Sequence, residues 1–366
     1  MPSDFLRALP KVQLHCHLEG TLRASSFIDL AARRGVPLTY HPKAAERGDF
    51  EDPPGEESVD PSGYHFSDFQ AFLLTFAAVS RALAEPEDYF QLAREYIDDA
   101  LSQNVIHAEL FISPSVWQFF HPQIDVRQCV GAIVDGFAPA KKRGIEVKLI
   151  ADLTRNFGAQ SALRTAQLAA SLTDHGVIGV GLGGDEARFP PELFADSFAY
   201  ARAQGLHAVA HAGEAAGPQS VWSAIQVLKA ERIGHGVRSM EDPRLVAYLA
   251  EHRIPLEVCP SSNFLTGAAS HEHPHPFIAL DQAGCMVTID ADDPPMFATT
   301  LTREYEYVAR AAGEEAVARF AAHAIEASFA SPERKAVLRR HLAQCVEHRG
   351  RASNLRDEDV AAPQSL

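Results

Sequence analysis

The stretch HAVAHAGEAAGPQSVWSAIQVLKAERIGHG, residues 207–236, contains two short apolar runs separated by an amphipathic segment. The runs at 207–211 and 232–236 predict β-strands, and the segment 220–230 between them predicts an α-helix. Two strands that are joined through a helix form a parallel βαβ unit. Each predicted strand carries a histidine at or next to its C-terminal end, His211 in the first and His235 in the second.

The same alternation of strand and helix patterns extends over most of the chain. Apolar runs predict eight strands, at residues 12–17, 105–112, 146–152, 177–182, 207–211, 232–236, 256–259 and 286–289. Helical patterns such as 162–172, 191–203 and 243–251 lie between them. Eight βα units within about 280 residues favour an α/β fold in which the strands close into a (β/α)8 TIM barrel, rather than an open sheet.

One segment interrupts this alternation. Residues 37–66 are rich in proline, glycine and acidic side chains and show neither a helical nor a strand period. We therefore predict one (β/α)8 domain over residues 1–350 with a loop insertion at 37–66, followed by a polar C-terminal tail at 351–366. The insertion is interpreted either as a surface excursion or as a lid over the site.

Composition limits the classes of partner. The 366-residue chain has a net charge of −15, so nucleic acid and anionic membrane surfaces are poor candidate partners. The N-terminus has no apolar signal-peptide core, and no run of about 18 apolar residues predicts a membrane span. The five cysteines are scattered and form no C-x-x-C pair, which is typical of a reduced, cytoplasmic protein. No pattern indicates an oligomeric state.

The segment VQLHCHLEG, residues 12–20, places two histidines two residues apart in a predicted strand. Side chains at positions i and i+2 of a strand point to the same face, so His15 and His17 are expected to project together. Two neutral imidazoles side by side suit a divalent metal, most often zinc. Buried histidines without a metal are also common, and the pair alone leaves both interpretations open.

Further polar residues lie at the ends of other predicted strands. His211 ends the fifth strand, His235 lies at the end of the sixth, and Asp292 and Asp293 follow the eighth. In TIM barrels the catalytic residues lie at this C-terminal rim. Three histidines and one aspartate would form a site that fits one zinc ion and leaves a position open for water, whose pKa zinc lowers to roughly 7. The fourth strand, in VIGVGLGGDE, offers no lysine that could bridge a second metal, so a mononuclear site is predicted.

Three of these residues allow more than one role. Glu214, three residues after His211, suits a general acid or base next to the metal, or a carboxylate at the start of a helix. His235 suits a fifth ligand or a base that orients hydroxide. Adjacent Asp292 and Asp293 cannot both face the metal from a regular strand, and the alternative for Asp293 is an N-cap before Pro294.

The blocks PKVQLHCHLEGTLR, GLGGDE, HAGE, ERIGHGV, EVCPSSNFLTG and DADDPPMF occur in this order between residues 10 and 307. Together they identify the chain as similar to the adenosine deaminase family of zinc aminohydrolases. The resemblance implies one zinc ion per chain and hydrolytic replacement of the purine 6-amino group, with release of ammonia. The zinc ligands implied by it are His15, His17, His211 and Asp292.

The resemblance also implies roles around the purine ring. Glu214 matches the residue that protonates N1, and His235 matches the residue that activates and orients the attacking hydroxide. Asp293 matches the partner of N7, and Gly184 matches the backbone donor to N3. A non-catalytic, nucleoside-binding member of the family would be expected to lack some of these residues, whereas all of them are present.

The substrate is less well defined by the resemblance. Members that act on adenosine commonly carry aspartate at the position of Glu19, where it contacts the ribose 5′-hydroxyl, whereas glutamate is frequent in adenine deaminases. The blocks 183–186 and 260–267 look more like the nucleoside branch. A third branch acts on 6-aminodeoxyfutalosine, a 5′-modified adenosine of menaquinone biosynthesis that carries an aromatic carboxylate. Arg155 would then be a partner for that carboxylate, or else a solvated loop cation.

An apolar stripe with helical spacing follows the loop insertion, at Phe66, Phe69, Phe72, Leu73 and Phe76. Packing in the core is the default interpretation of such a stripe. The alternative is that it lines a purine pocket.

Overall fold

The computed structural model describes residues 2–38, 59–66 and 69–361. Its central element is an eight-stranded sheet in which strands that follow one another along the chain pair in parallel. The strands are β1 Lys11–Gln13, β2 Val105–Ile112, β3 Glu146–Thr154, β4 Val177–Gly183, β5 His207–Ala212, β6 Arg232–His235, β7 Leu256–Val258 and β8 Val287–Ile289. The predicted (β/α)8 barrel is confirmed.

The two ends of the sheet meet just beyond β1 and β8. Cys16 and Asp292 form a parallel bridge, in which the backbone N–H of His17 donates to the carbonyl oxygen of Asp292 at 3.0 Å. The N–H of Asp292 in turn donates to the carbonyl oxygen of His15 at 3.1 Å. The first and the last strands are therefore joined at the level of the two histidines, which brings them next to Asp292.

The first strand is shorter than predicted. Its ladder ends at Gln13, and pairing resumes only as single parallel bridges at Cys16 and His17, so the prediction of a continuous strand over 12–17 is wrong at Leu14 and His15. The carboxylate of Asp290 accepts hydrogen bonds from the N–H groups of Leu14 at 2.6 Å and His15 at 3.0 Å. Because a side chain accepts from both backbone N–H groups, they do not need a neighbouring strand as their hydrogen-bond partner. The other seven predicted strands are confirmed to within two residues at each end.

Helices surround the sheet in the part of the chain that the structure describes. They are α1 Asp4–Ala8, α2 Ala24–Arg34, α3 Phe69–Ala82, α4 Pro86–Ser102, α5 Pro114–Phe120, α6 Val126–Gly136, α7 Ala138–Lys142, α8 Gly158–Ala170, α9 Ala195–Ala203, α10 Pro218–Ser223, α11 Pro243–Glu251, α12 Pro260–Leu265, α13 Pro276–Gln282, α14 Leu301–Ala312, α15 Glu314–Ala327 and α16 Pro332–Ala361. Short 3₁₀ turns lie at Glu19–Thr21, Arg155–Phe157, Thr173–His175, Pro191–Phe194 and Val237–Glu241, and a π-helical turn at Ala224–Leu228 extends α10. None of the described helices is long and apolar enough to cross a membrane.

The loop insertion and the tail are described only in part. Within 37–66, a two-stranded hairpin pairs Val59–Asp60 with Gly63–Tyr64. Residues 39–58 lie outside the described residues, so the lid remains a prediction. At the C-terminus, α16 continues to Ala361, so most of the predicted polar tail is helical, and residues 362–366 lie outside the described part.

Candidate active site

Four potential metal ligands converge at the C-terminal rim of the barrel. The ligand atoms of His15, His17, His211 and Asp292 all lie within 4.8 Å of one another, and all four residues are buried. His17 Nε2 lies 3.1 Å from His211 Nε2, and Asp292 Oδ1 lies 3.5 Å from both His15 Nε2 and His17 Nε2. These distances show that the four donor groups face a common point.

The chemistry of this group fits a zinc ion. His15 Nε2 is buried and has no hydrogen-bond partner among the described residues, so this nitrogen is available to bind a metal ion. Burial lowers the pKa of His17 to about 4, and burial together with the neighbouring imidazoles lowers the pKa of His211 well below its usual value. Both rings are therefore neutral at pH 7, which is the state that binds metals. Three imidazole nitrogens and one carboxylate oxygen form a typical zinc-binding set.

A buried chain of ion pairs orients His15. Its Nδ1 lies 2.8 Å from Glu257 Oε2, so the ring is fixed with Nε2 facing the other donors. Arg232 lies between two carboxylates, 2.5 Å from Glu257 and 2.5 Å from Glu109. The sequence does not predict this chain of contacts, because Glu109, Arg232 and Glu257 lie on three different strands and are far apart along the chain.

The backbone is turned at two residues of the site. His235 and Asp292 adopt φ values of 61° and 59°, in the left-handed region that non-glycine residues rarely occupy. Such a conformation costs on the order of 1–3 kcal/mol and typically occurs at functional sites. Asp292 is thus one of the residues that form the metal-binding group from an unusual backbone conformation.

His235 lies beside the four potential metal ligands, and Asn263 fixes the orientation of its ring. Asn263 Nδ2 is 3.1 Å from His235 Nδ1, and an amide N–H donated there places the ring proton on Nε2. That nitrogen is 3.5 Å from Glu214 Oε2 and 3.9 Å from Asp292 Oδ2. Ser262 donates to the same oxygen of Asp292 at 2.7 Å. His235 thus contacts both the proposed acid and the metal-binding group.

Glu214 lies on a loop whose backbone is fixed by another carboxylate. Glu186 accepts hydrogen bonds from four consecutive N–H groups, those of Gly213 at 2.6 Å, Glu214 at 3.1 Å, Ala215 at 2.7 Å and Ala216 at 2.9 Å. Glu186 ends the block GLGGDE, and no role for it follows from the sequence. Its position at the end of that block was the available signal.

The environment of Glu214 favours its protonated form. Burial raises the pKa of this carboxyl to about 8, and the charges of Asp292 and Glu186 act in the same direction. The alternative interpretation, a carboxylate in the first turn of a helix, is wrong. The following helix α10 begins only at Pro218, with Gly217 as its N-cap.

Asp293 is almost fully buried, and its Oδ1 has no hydrogen-bond partner among the described residues. Burial and the adjacent Asp292 raise the pKa of Asp293 well above its usual value, so this carboxyl keeps a proton that it can donate. Gly20 lies against it, and a side chain at that position would overlap the carboxyl group. The N-cap alternative for Asp293 is wrong, because residues 294–298 form a turn and not a helix.

A cavity of about 460 Å³ opens over the site. Its polar end is formed by His17, His211, Glu214, His235, Asp292 and Asp293, with Gly183 and Gly184 alongside. Its apolar wall comes from α3, α5 and the turn that follows β3, through Phe72, Leu73, Phe76, Val116, Phe119, Phe120 and Phe157. Phe72, Leu73 and Phe76 of the predicted stripe therefore line the pocket and also pack against the core, so both interpretations hold for them.

Two residues predicted to contact substrate do not border this cavity. Glu19 is fully buried, and its Oε1 accepts hydrogen bonds from the N–H of Ser113 and from Trp117 Nε1, both at 2.7 Å. Arg155 is also fully buried and donates to the carbonyl oxygens of Phe189 at 2.5 Å and His211 at 2.6 Å. Arg155 is thus neither a solvated cation nor a pocket residue. It supports the backbone of His211, and we assign neither residue a direct contact with substrate.

Another carboxylate that sequence reasoning missed does border the cavity. Asp152 lies on β3, its side chain is buried, and its Oδ1 has no hydrogen-bond partner among the described residues. The predicted strand 146–152 ended at this residue, which placed it at the rim where catalytic groups lie. That position was the signal by which Asp152 could have been found.

Known proteins of similar sequence share one activity class. A family model described as adenosine deaminase matches residues 10–345. The aminodeoxyfutalosine deaminase of Streptomyces avermitilis is 39% identical over 338 residues, which cover 91% of this chain and 90% of that protein. The adenine deaminase of Paraburkholderia phytofirmans is 35% identical over 338 residues, which cover 90% of this chain and 91% of that protein.

Solved structures show the same fold. The adenine deaminase of Arthrobacter aurescens superposes with a TM-score of 0.81 at 30% identity, covering 93% of this chain and 99% of that one. An amidohydrolase of Burkholderia ambifaria, solved with bound zinc, superposes with a TM-score of 0.79 at 28% identity and covers 93% and 91% of the two chains. The relatives whose names give a substrate divide between adenine deaminase and aminodeoxyfutalosine deaminase.

Proposed function

Because the chain belongs to the adenosine deaminase family and is a deaminase of adenine-containing purines, we propose that its substrate is a nucleoside. The proposed reaction is zinc-dependent hydrolysis of the 6-amino group, which yields ammonia and the 6-oxo purine. Within the nucleosides we propose a 5′-modified adenosine, with 6-aminodeoxyfutalosine as the candidate. The 39% identity to aminodeoxyfutalosine deaminases supports this choice.

The observation that carries the proposal is the shape of the cavity. Its volume of about 460 Å³ lies in the range of about 300–1,000 Å³ that holds drug-sized ligands, which exceed a bare purine in size. Five phenylalanines line the wall away from the metal-binding group, and they suit an aromatic substituent. Arg188 borders the same cavity with a largely exposed side chain paired to Asp185, and its guanidinium suits a substrate carboxylate.

We propose that His15, His17, His211 and Asp292 hold one zinc ion. When bound, zinc supplies a Lewis acid that makes hydroxide available near neutral pH. Glu214 is proposed to carry a proton to purine N1, and its raised pKa supports this role. His235, held at Nδ1 by Asn263, is proposed to orient the attacking water through Nε2.

Two further groups are proposed to fix the ring. Protonated Asp293 donates to N7, which is a hydrogen-bond acceptor. The backbone N–H of Gly184, a residue at the cavity surface with φ of 98°, donates to N3. Together with Glu214 at N1, these contacts aim C6 at the metal-binding group.

Free adenine is the second candidate substrate. It is favoured by relatives named adenine deaminase at 34–36% identity and by the adenine deaminase structure with a TM-score of 0.81. A non-catalytic role is disfavoured, because the metal-binding group, Glu214, His235 and Asp293 are all present around one cavity.

The reaction is tested with zinc-loaded protein and 6-aminodeoxyfutalosine in water enriched in oxygen-18. We expect one labelled oxygen at C6 and one ammonia per product, together with a blue shift of the ultraviolet absorbance. Absence of turnover with this compound and with adenosine, alongside turnover of adenine, would overturn the nucleoside assignment.

Substituting Glu186 tests the support of the catalytic loop. We expect Glu186→Gln to lower kcat by about 10–100-fold with zinc content unchanged, since the amide accepts fewer of the four N–H bonds that hold Glu214. A matched control is Asp88→Asn, because Asp88 accepts the N–H groups of Ala84 and Glu85, both at 3.0 Å, at the start of α4. The control should keep its kcat, and an unchanged kcat in Glu186→Gln would refute the positioning role.

A further inference from the structure

Asp152 is a cavity residue to which the proposed chemistry gives no task. Its side chain is 5% exposed, and its Oδ1 has no hydrogen-bond partner among the described residues. A buried carboxylate oxygen that is left unpaired destabilises the protein, so a partner is expected from whatever enters the cavity. An unpaired carboxylate oxygen at the surface of a pocket is expected to accept a hydrogen bond from a bound ligand.

The neighbouring strand leaves room for this carboxylate. Asp152 pairs in register with Gly181 of β4, and Thr154 pairs with Gly183. A β-carbon added at Gly181 would lie 2.6 Å from Asp152 Oδ1, and one added at Gly183 would overlap Oδ2. Neither glycine has a φ in the left-handed region. A side chain at Gly183 is excluded by the Asp152 carboxylate, and one at Gly181 by that carboxylate together with the ring of Phe111.

The charged groups around Asp152 favour a hydrogen bond to this carboxylate from an uncharged group of the ligand. Burial raises its pKa to about 7, the Glu19 carboxylate acts in the same direction, and Arg155 opposes the shift. Arg155 donates through its two Nη atoms to backbone carbonyl oxygens, and neither its Nε nor Asp152 Oδ1 has a hydrogen-bond partner among the described residues. A hydroxyl group of the ligand would satisfy Oδ1 without bringing a charge into the cavity.

The position of Asp152 relative to the ring follows from its neighbours. Gly183, against which the carboxylate lies, is adjacent to Gly184, the proposed donor to purine N3. In a purine, N3 lies next to C4 and N9, the edge to which the sugar is attached, whereas C6 lies on the opposite side. With N3 at Gly184, as proposed, the carboxylate of Asp152 lies next to the residues that face the sugar edge of the purine.

We propose that Asp152 is a specificity-determining residue that accepts a hydrogen bond from a sugar hydroxyl of the substrate. This inference rests on the proposed nucleoside function and adds a residue that distinguishes a nucleoside from a free base. It predicts that the group recognised is the 2′- or the 3′-hydroxyl of the ribose, because the proposed 5′-modified substrate has no 5′-hydroxyl.

The test measures kcat/KM of the wild type and of Asp152→Asn, with zinc loaded, on adenosine and its 2′-deoxy, 3′-deoxy and 5′-deoxy analogues. We expect Asp152→Asn to lower kcat/KM for adenosine by about 10–100-fold. For the 2′-deoxy or the 3′-deoxy analogue the same substitution should change kcat/KM by less than about threefold, because the hydroxyl that Asp152 accepts from is already missing. The 5′-deoxy analogue should show the full loss. An equal loss on all four compounds, or no loss on adenosine, would overturn the proposal.

Two controls separate this outcome from misfolding and from failure of the nucleoside assignment. Gly183→Ala displaces the same carboxylate without removing it and should reproduce the analogue-selective loss if Asp152→Asn does not fold. Asp88→Asn replaces a buried carboxylate outside the cavity and should keep wild-type kcat/KM on all four compounds. If wild-type protein turns over adenine and none of the nucleosides, the proposed function itself fails, which is a different result from an equal loss in the variant.

Discussion

Glu214→Gln is expected to lower kcat by about 10²–10⁴-fold while one zinc ion per chain is retained. Glutamine has the shape of glutamate, but it cannot carry the proton that the purine N1 requires. The side chain is 12% exposed and lies 3.5 Å from His235 Nε2, so water has limited access to replace it. Steady-state kinetics and metal analysis of the same preparation measure both quantities.

The control for this variant is Glu231→Gln. Glu231 pairs with His207 at the start of β5, at the other end of the strand from His211. It should keep wild-type kcat. Full activity in Glu214→Gln would contradict the assignment of the acid, and loss of zinc from that variant would show that the substitution disturbs the metal-binding group instead.

His211→Ala is expected to abolish zinc retention and to reduce turnover to the background rate. Three of the four convergent donors remain, but the site loses the nitrogen that lies 3.1 Å from His17 Nε2. Wild-type protein should gain thermal stability on adding zinc, because a ligand that binds only the folded state stabilises it, by about 4 kcal/mol at a thousandfold excess over Kd. The variant should show no such gain.

Zinc content after dialysis and the zinc-dependent change in Tm provide the measurements. His207→Ala is the matched control, since that histidine lies at the opposite end of β5 and stacks on Phe329. It should bind one zinc ion per chain. Stoichiometric zinc and wild-type kcat in His211→Ala would contradict the proposed ligand set.

The barrel and most of its rim were predictable because both depend on local patterns. Apolar runs that alternate with helical segments predict the strands, and a polar residue after such a run is brought to the C-terminal face by the parallel topology alone. His211, His235 and Asp292 were found in this way. Their convergence requires only that neighbouring strands pair in chain order, which the structure confirms.

What sequence reasoning missed depends on contacts between distant segments. The first strand ends early because Asp290, 276 residues after Leu14, accepts its N–H. Glu186 acts on a loop 27–30 residues further on, and Glu257 orients a histidine 242 residues earlier. The local hydrophobic pattern of a sequence gives no information on contacts between a side chain and a backbone group or ring far away along the chain.

Arg155 and Glu19 illustrate a different source of error. Both were assigned to the substrate by family resemblance, which matches positions in the sequence but not the packing around them. In the structure Glu19 is enclosed by Ser113 and Trp117, and Arg155 is held by two carbonyl oxygens. Asp152 borders the cavity instead, in the space that Gly181 and Gly183 leave open.

The most direct test of the account is a competition experiment with a single zinc-loaded sample. Equimolar 6-aminodeoxyfutalosine, adenosine and adenine are mixed, and the rate at which each is consumed is followed by chromatography and mass spectrometry, which gives the ratio of their kcat/KM values. We predict that 6-aminodeoxyfutalosine is consumed first, adenosine more slowly and adenine last. Preferential consumption of adenine would contradict the account.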